Sequence, residues 1–375
     1  MIRLLHVADV HLGASYSAFG AHAEARAEEV LDAFRSLPEL AARHRVHAVL
    51  VAGDLFDSPK PPTRLVATAT EVFRRLKTAG CHVFLVPGNH DAIYRNPGLY
   101  EGDLGGVHLF RRPTFDDPIC VEVGGTTLAV YGIAYDWAQE AHPLTTFRRA
   151  DVAGVHVVML HGSVPDSPHW HEGSALRVPI EELRTLDVDY VALGDHHRFR
   201  PPERFASGKT PACYSGSFAA VDLTETGSRG YAVVTLQPAT PPGVELHTSG
   251  VRSVEPLDPI DVGNLSSDEE IVRVVGDAAR DGTVPLVTLI GEPPFPPDIE
   301  HLHLHLRERF GHAVVGDETR FYASDTFRRR AGERTIVGHV ARLGLRRIEA
   351  APDEMERGRT ERALRLALSA LEPGS

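Results

Sequence analysis

The sequence has little of what holds a small secreted protein together. Its 375 residues include three cysteines, Cys81, Cys120 and Cys213, widely spaced and odd in number. No disulfide framework or zinc knuckle can be drawn from them. Each reads as a small buried hydrophobe, and the expected compartment is the cytoplasm. No stretch reaches the apolar length that a bilayer demands, so no membrane span is expected. The opening residues, Met1-Ile2-Arg3-Leu4-Leu5, enter a strand at once. They lack the apolar segment and small-residue cleavage site of a secretory leader. No internal repeat is found.

Positive charge is also short. The net charge of −12 argues against a protein that coats nucleic acid non-specifically. It does not exclude a nuclease, because carboxylates gathered around metal ions are neutralised by them. Part of the excess lies in Asp268-Glu269-Glu270 and the tail. Local clusters remain at Arg74-Arg75, Arg148-Arg149, Arg198/Arg200/Arg204 and Arg328-Arg329-Arg330. Such clusters read as solvated faces. The exceptions are Arg198 and Arg200, which directly follow a candidate metal motif.

What the chain does have is five short segments ending in potential ligands. They are Asp9-Val10-His11, Gly53-Asp54-Leu55-Phe56-Asp57, Gly88-Asn89-His90-Asp91, Leu160-His161-Gly162 and Gly194-Asp195-His196-His197. Each follows an apolar run that reads as a buried strand. Strands lying side by side would gather Asp, His and Asn at one rim of a sheet. That mixture suits two divalent cations held by nitrogen and oxygen.

The pattern between these motifs is α/β. A helix is expected over 22–45, a strand over 46–52, a helix over 62–79 opened by Pro61-Pro62, and a strand over 81–86. This implies a parallel sheet with right-handed crossovers. Strands follow at 119–123 and 127–134, turned by Gly124-Gly125. A helix near 142–150, a strand at 155–160, a short helix at 179–186 and a strand at 189–193 come next. Segments 211–218 and 229–236 add two strands, which makes the sheet mixed. Pro238-Ala239-Thr240-Pro241-Pro242 breaks the pattern, and 246–255 reads as an extended linker.

The domains expected are a catalytic one over 1–250, a smaller α+β one over 256–345 and a charged helical tail over 350–375. The smaller one would hold a helix at 266–280, a strand at 284–290, a helix at 298–310 and a strand near 313–316. His301, His303 and His305 alternate with leucines, as a metal-binding strand would, but 300–310 also suits a helix, and metal is not expected there. Leu364, Leu368 and Leu371 recur at helical spacing in the tail.

The series Asp-x-His, Gly-Asp, Gly-Asn-His-Asp, His and Gly-x-x-His resembles the calcineurin-like metallophosphoesterase superfamily. Within it, "LLHVADVHLG", "VLVAGDLFDSPKPP", "VFLVPGNHD" and "CYSGSFAAVDLTETGSRGYAVVTL" are similar to the SbcD/YhaO-type DNA repair nucleases, bacterial counterparts of the Mre nuclease. The likeness is sharp over 1–236 and weak beyond 262. It implies a mixed-sheet α/β sandwich with a smaller α+β cap. It also implies two divalent ions, most readily Mn²⁺. Metal one would take Asp9, His11, Asp54 and His197. Metal two would take Asp54, Asn89, His161 and Asp195.

Asp195 stands where the superfamily usually has His. It is anionic and hard, and strand alternation puts it on the same side as His197. His196 is the rival for that role. The resemblance makes His90 the acid that protonates the leaving oxygen and Asp57 the residue that orients it. It implies DNA as substrate, an SMC-like ATPase of the SbcC/YhaN type as partner, a homodimer through the catalytic-domain helices, and a tail helix that docks on a coiled coil. The same site chemistry also serves a phosphodiesterase or phosphatase for small molecules or phosphoproteins. An inactive DNA-end scaffold is the third reading.

Overall fold

The computed structural model describes all residues except 137–142, 165–175, 203–209, 239, 292, 294, 320–323 and 372–375. The chain divides into two compact units, Met1–Ser253 and Val254–Ser375.

The first unit opens β1 (Ile2–Val7), α1 (Ala23–Arg35), α2 (Leu37–His44), β2 (Ala48–Ala52), α3 (Thr63–Thr78), β3 (His82–Val86) and β4 (His108–Leu109). The single helix expected over 22–45 is two. Pro38 lacks an N–H and sits in the first turn of α2, so the chain restarts there. Next come β5 (Ile119–Val123), β6 (Thr126–Gly132), β7 (Val155–His161), α4 (Ile180–Leu183), β8 (Tyr190–Gly194), β9 (Ala212–Tyr214), β10 (Gly230–Leu236) and β11 (Gly243–Thr248). The helix expected near 142–150 is only a 3₁₀ turn, Pro143–Thr146, and residue 142 lies outside the described residues. The supposed linker at 246–255 is largely strand: β11 pairs with β10.

One correction matters for function. The strands form two sheets, not one: β11-β10-β1-β2-β3-β4 and β5-β6-β7-β8-β9. Alternation along the strands explains how they pack. Leu5, Val7, Val49, Val51, Val83 and Leu85 point to one side and join Leu31, Phe34, Leu65 and Val72 of the helices. Leu4, Leu50, Phe84 and Val86 point the other way and meet Leu128, Val157, Met159 and Tyr190 of the second sheet. The outer face of that sheet is covered by Phe147, Val178 and Leu183. The result is a four-layer sandwich, with helices or loops outside and two sheets face to face.

The second unit surrounds β14 (Thr283–Ile290) with β12 (Ser253–Pro256), β13 (Ile260–Asp261) and β15 (Val314–Asp317). Helices α5 (Asp268–Ala278) and α6 (Ile299–Phe310) pack on this sheet through Ile271, Val275, Leu302 and Leu306. Helices α7 (Ser324–Ala331), α8 (Ile336–Glu349) and α9 (Glu354–Leu371) follow. Helix α8 was not expected from the sequence. It carries the surface on which Leu364 and Leu368 of α9 pack. Among the described residues, no helix is long and apolar enough to cross a membrane.

Candidate metal centre

The five motifs converge because the two sheets end together. Asp9 and His11 follow β1, Asp54 and Asp57 follow β2, and Asn89 and His90 follow β3. His161 closes β7, and Asp195 and His197 follow β8. The first three strands belong to one sheet and the last two to the other, so the site lies across the sandwich. The facing of two sheets, which strand spacing alone did not reveal, is what joins the halves.

The turns at these strand ends are tight. Asp9, His11, Asp54 and Asp195 all have positive φ, between 48° and 102°. Non-glycine residues rarely adopt this region, and strain of this kind gathers at functional sites. The first two turns lock together: Asp9 N–H donates to Gly53 O (3.2 Å) and His11 N–H to Asp54 O (3.0 Å). Two glycines permit the close approach. A Cβ at Gly53 would overlap the His161 ring, and one at Gly88 would overlap the Asp54 carboxylate.

Asp54 occupies the middle. Its Oδ1 accepts the His90 backbone N–H at 2.9 Å. Its Oδ2 lies 3.4 Å from His161 Nε2 and 3.8 Å from His11 Nε2, one ring from each sheet. His11 Nε2 stands 3.2 Å from His197 Nε2, and His161 Nε2 stands 2.8 Å from Asn89 Oδ1. Asp195 Oδ1 is 3.9 Å from His161 Nε2, and its backbone N–H donates to the Asp9 carboxylate at 3.1 and 3.2 Å. His196 turns elsewhere, its ring edge-on to Tyr214 at 5.3 Å.

Electrostatics and spacing both fit cations. Asp9, Asp54 and His161 are buried, each at most 2% exposed. Burial opposes charge on His161, yet Asp54, Asp9 and Asp195 outweigh it and hold its pKa well above the ordinary value. Burial, with Asp9 and Asp54 nearby, pushes the Asp195 carboxyl up to about 6. So much negative charge in so little water calls for positive charge. Nitrogen and oxygen ligands bonded to one cation at about 2.1 Å stand roughly 3 Å apart at right angles. The spacings around His11/His197 and His161/Asn89 are of that size. Ligand atoms of Asp9, His11 and His197, of Asp9, Asp54 and His161, and of His11, Asp57 and His90 fall within 4.8 Å of one another as three groups.

His90 belongs to the third group, its ring 4.7 Å from that of His11. Its Nδ1 is 3.1 Å from the carbonyl oxygen of Asp57 and 3.4 Å from Asp57 Oδ1. The same carboxylate oxygen lies 3.0 Å from His11 Nδ1. Arg198 is exposed next to the site and Arg200 is half-buried, while Arg204 lies outside the described residues.

Two contributors were given no role by the sequence reading. Glu225 Oε1 is 2.5 Å from His197 Nδ1, and this contact raises the His197 pKa to about 9 against the opposing effect of burial. Fixing one ring nitrogen aims the other at the centre. Glu225 lies in the "DLTETG" part of the quoted 213–236 stretch, off any strand end that would mark it as part of the site. Asp91 is fully buried and accepts from Gly88 N (2.8 Å), Phe56 N (3.2 Å) and Tyr100 Oη (2.7 Å). It ties the β2 and β3 turns together. Glu225→Gln is expected to weaken cation binding about 10–100-fold, measured by calorimetric titration with Mn²⁺, with the fold intact.

The profile of the calcineurin-like phosphoesterase family matches residues 2–199, more than half of the chain. The chain belongs to this family. Among curated relatives, this phosphoesterase is 29% identical to the metallophosphoesterase YhaO of Bacillus subtilis, over 62% of this chain and 57% of that one. It is 30% identical to the SbcD component of the nuclease SbcCD of the same organism, over 63% and 67%. It is 46% identical to the DNA double-strand break repair protein Mre11 of Aeropyrum pernix, over 61% and 56%. The matches thus span between about half and two thirds of the relatives' lengths.

Proposed function

We propose that this phosphoesterase is a metal-dependent DNA nuclease acting in cytoplasmic DNA repair together with an SMC-like ATPase of the SbcC/YhaN type. One observation carries the reading: a buried carboxylate, Asp54, faces imidazoles from both sheets while His90, paired with Asp57, stands beside it. The names of the relatives support DNA as substrate and a separate partner protein.

Asp9, His11, Asp54 and His197 would hold one cation, and Asp54, Asn89, His161 and Asp195 the other, with Mn²⁺ the best fit to this hard ligand set. When bound, such a pair lowers the pKa of water and neutralises the phosphate oxygens. Asp54 would serve both positions and Asp9 the first. Asp195, rather than His196, faces the second. His90 gives its proton to the leaving 3′ oxygen, and Asp57 holds it ready to do so. Arg198 and Arg200 grip the flanking backbone. The chemistry suits exonuclease action with single-strand endonuclease activity, and the catalytic unit would act as a homodimer.

Purified protein with labelled linear DNA and Mn²⁺ should shorten the DNA. EDTA or Asn89→Ala should stop it. Intact DNA, with turnover of bis(4-nitrophenyl) phosphate by the same preparation, would instead assign the centre to a small-molecule phosphodiesterase.

A further inference from the structure

The second unit carries potential ligands that phosphoester cleavage does not use. His301, His303 and His305 alternate in sequence, but α6 separates them. His303 turns away, its Nδ1 3.0 Å from the carbonyl oxygen of Ala313. His301 and His305, four residues apart, share a helix face. Their ring centroids are 4.0 Å apart with a tilt of 34°. Glu269, in the first turn of α5, faces them with Oε1 3.9 Å from His301 Nε2.

Three details prepare this cluster. His305 Nδ1 lies 3.0 Å from the carbonyl oxygen of His301. A carbonyl only accepts, so Nδ1 carries the proton and Nε2 keeps its lone pair. Histidines that ligate metals are held in this way. His301 Nε2 is shielded from solvent and has no hydrogen-bond partner among the described residues, a state that calls for an explanation. Asp268 accepts the Asp298 N–H at 3.2 and 3.3 Å, and Asp298 caps α6 through Glu300 N (3.0 Å) and His301 N (3.1 Å). The starts of the two helices are thereby held in register.

We propose that His301, His305 and Glu269 bind one borderline transition-metal ion, of the Zn²⁺ class, with water as the fourth ligand. An i, i+4 histidine pair with one carboxylate is a donor set for zinc. Bonds of about 2.0–2.2 Å place tetrahedral neighbours roughly 3.3–3.5 Å apart. Glu269, 74% exposed, would have to leave its present rotamer to close the difference. Two imidazoles and a single carboxylate favour Zn²⁺ over Mn²⁺ or Mg²⁺, unlike the carboxylate-rich phosphoesterase centre. The ion would pin α5 to α6.

The test is zinc stoichiometry of the full-length protein after dialysis against Zn²⁺ and removal of excess. His301→Gln and His305→Gln should each release one ion per chain, and His303→Gln none. Glu269→Gln should bind at least about 10-fold more weakly. His305 is exposed, so its replacement leaves the fold intact, as circular dichroism would record. A second measurement uses Co²⁺ in an Asp54→Asn background, which removes the phosphoesterase centre from view. A visible band of tetrahedral Co²⁺ should appear, and adding His305→Gln should abolish it. An unchanged ion count in His305→Gln, or a Co²⁺ spectrum indifferent to that change, overturns the proposal.

Discussion

Asp54→Asn should lower phosphodiester cleavage by about 1,000-fold or more, because one substitution weakens both cation positions at once. The variant is a clean one. Asp54 has φ of 48°, and asparagine tolerates this left-handed conformation better than other residues. Its amide oxygen can keep the bond that Oδ1 accepts from His90 N–H. What changes is the side facing the rings. Oδ2 lies between His161 and His11 at 3.4 and 3.8 Å, and an NH₂ group there offers neither charge nor a lone pair to a cation.

The metal count separates this effect from a general lesion. Asp54→Asn should lose both ions, whereas Asn89→Ala should lose only the second. Thermal melting gives the same answer by another route. Cations that bind only the folded state stabilise it, by about 2.7 kcal/mol at a hundredfold excess over the dissociation constant. That gain should vanish in Asp54→Asn, with little change in the presence of EDTA. A variant that keeps two ions and most of its activity would remove Asp54 from the centre of the site.

The strands bearing the ligands were legible because each is a short apolar run closed by a polar motif. Val49-Leu50-Val51 before Gly53-Asp54 and Val83-Phe84-Leu85-Val86 before Gly88-Asn89 are buried on both faces, so their hydrophobicity is continuous and their ends are sharp. What periodicity does not record is which sheet a strand joins. Val157 and Leu50 belong to different sheets, yet both read as core, because the contact between them is long-range. Helix α8 was missed for another reason. Gly338 and Gly344 interrupt its pattern, and a Cβ at Gly344 would overlap the Leu364 side chain of α9.

Within the site, ligands at strand ends were readable and their supports were not. Asp9, His11, Asp54 and His161 sit where a strand stops, which a pattern can mark. Glu225 reaches His197 from a loop, 28 residues later in the chain. Asp91 was visible as the last letter of Gly-Asn-His-Asp, but its task is to bind backbone N–H groups of two turns, which only coordinates reveal. The histidines of α6 make the complementary case. Their alternation also suited a strand, but the helix expected over 298–310 is what forms, and it selects two of the three.

His90→Gln should reduce cleavage of DNA by about 10²–10⁴-fold while leaving both cations bound, since a general acid contributes on that scale. The contact with Asp57 raises the His90 pKa to about 9, against burial and with help from the Asp54 charge. In the cation-free protein the ring therefore holds its proton at neutral pH, and Asp57 counters the lowering that bound cations would bring, so the ring can give a proton to an alkoxide. A 4-nitrophenolate leaves without that help, so His90→Gln should lose far less on bis(4-nitrophenyl) phosphate than on DNA. The sign of the pH effect follows from the role. An acid must hold its proton, so activity falls as pH rises through the His90 pKa. Asp57→Asn removes the charge that lifts it, and the alkaline limb should move down toward about 6.5. The variant should then be weakest in mild alkali and recover as pH is lowered. Asparagine keeps an oxygen for His11 Nδ1, which Asp57 now holds at 3.0 Å, so metal content should persist. Equal losses on both substrates, or an Asp57→Asn profile that overlays the wild type, would deny His90 the proton and leave the two cations to do the chemistry alone.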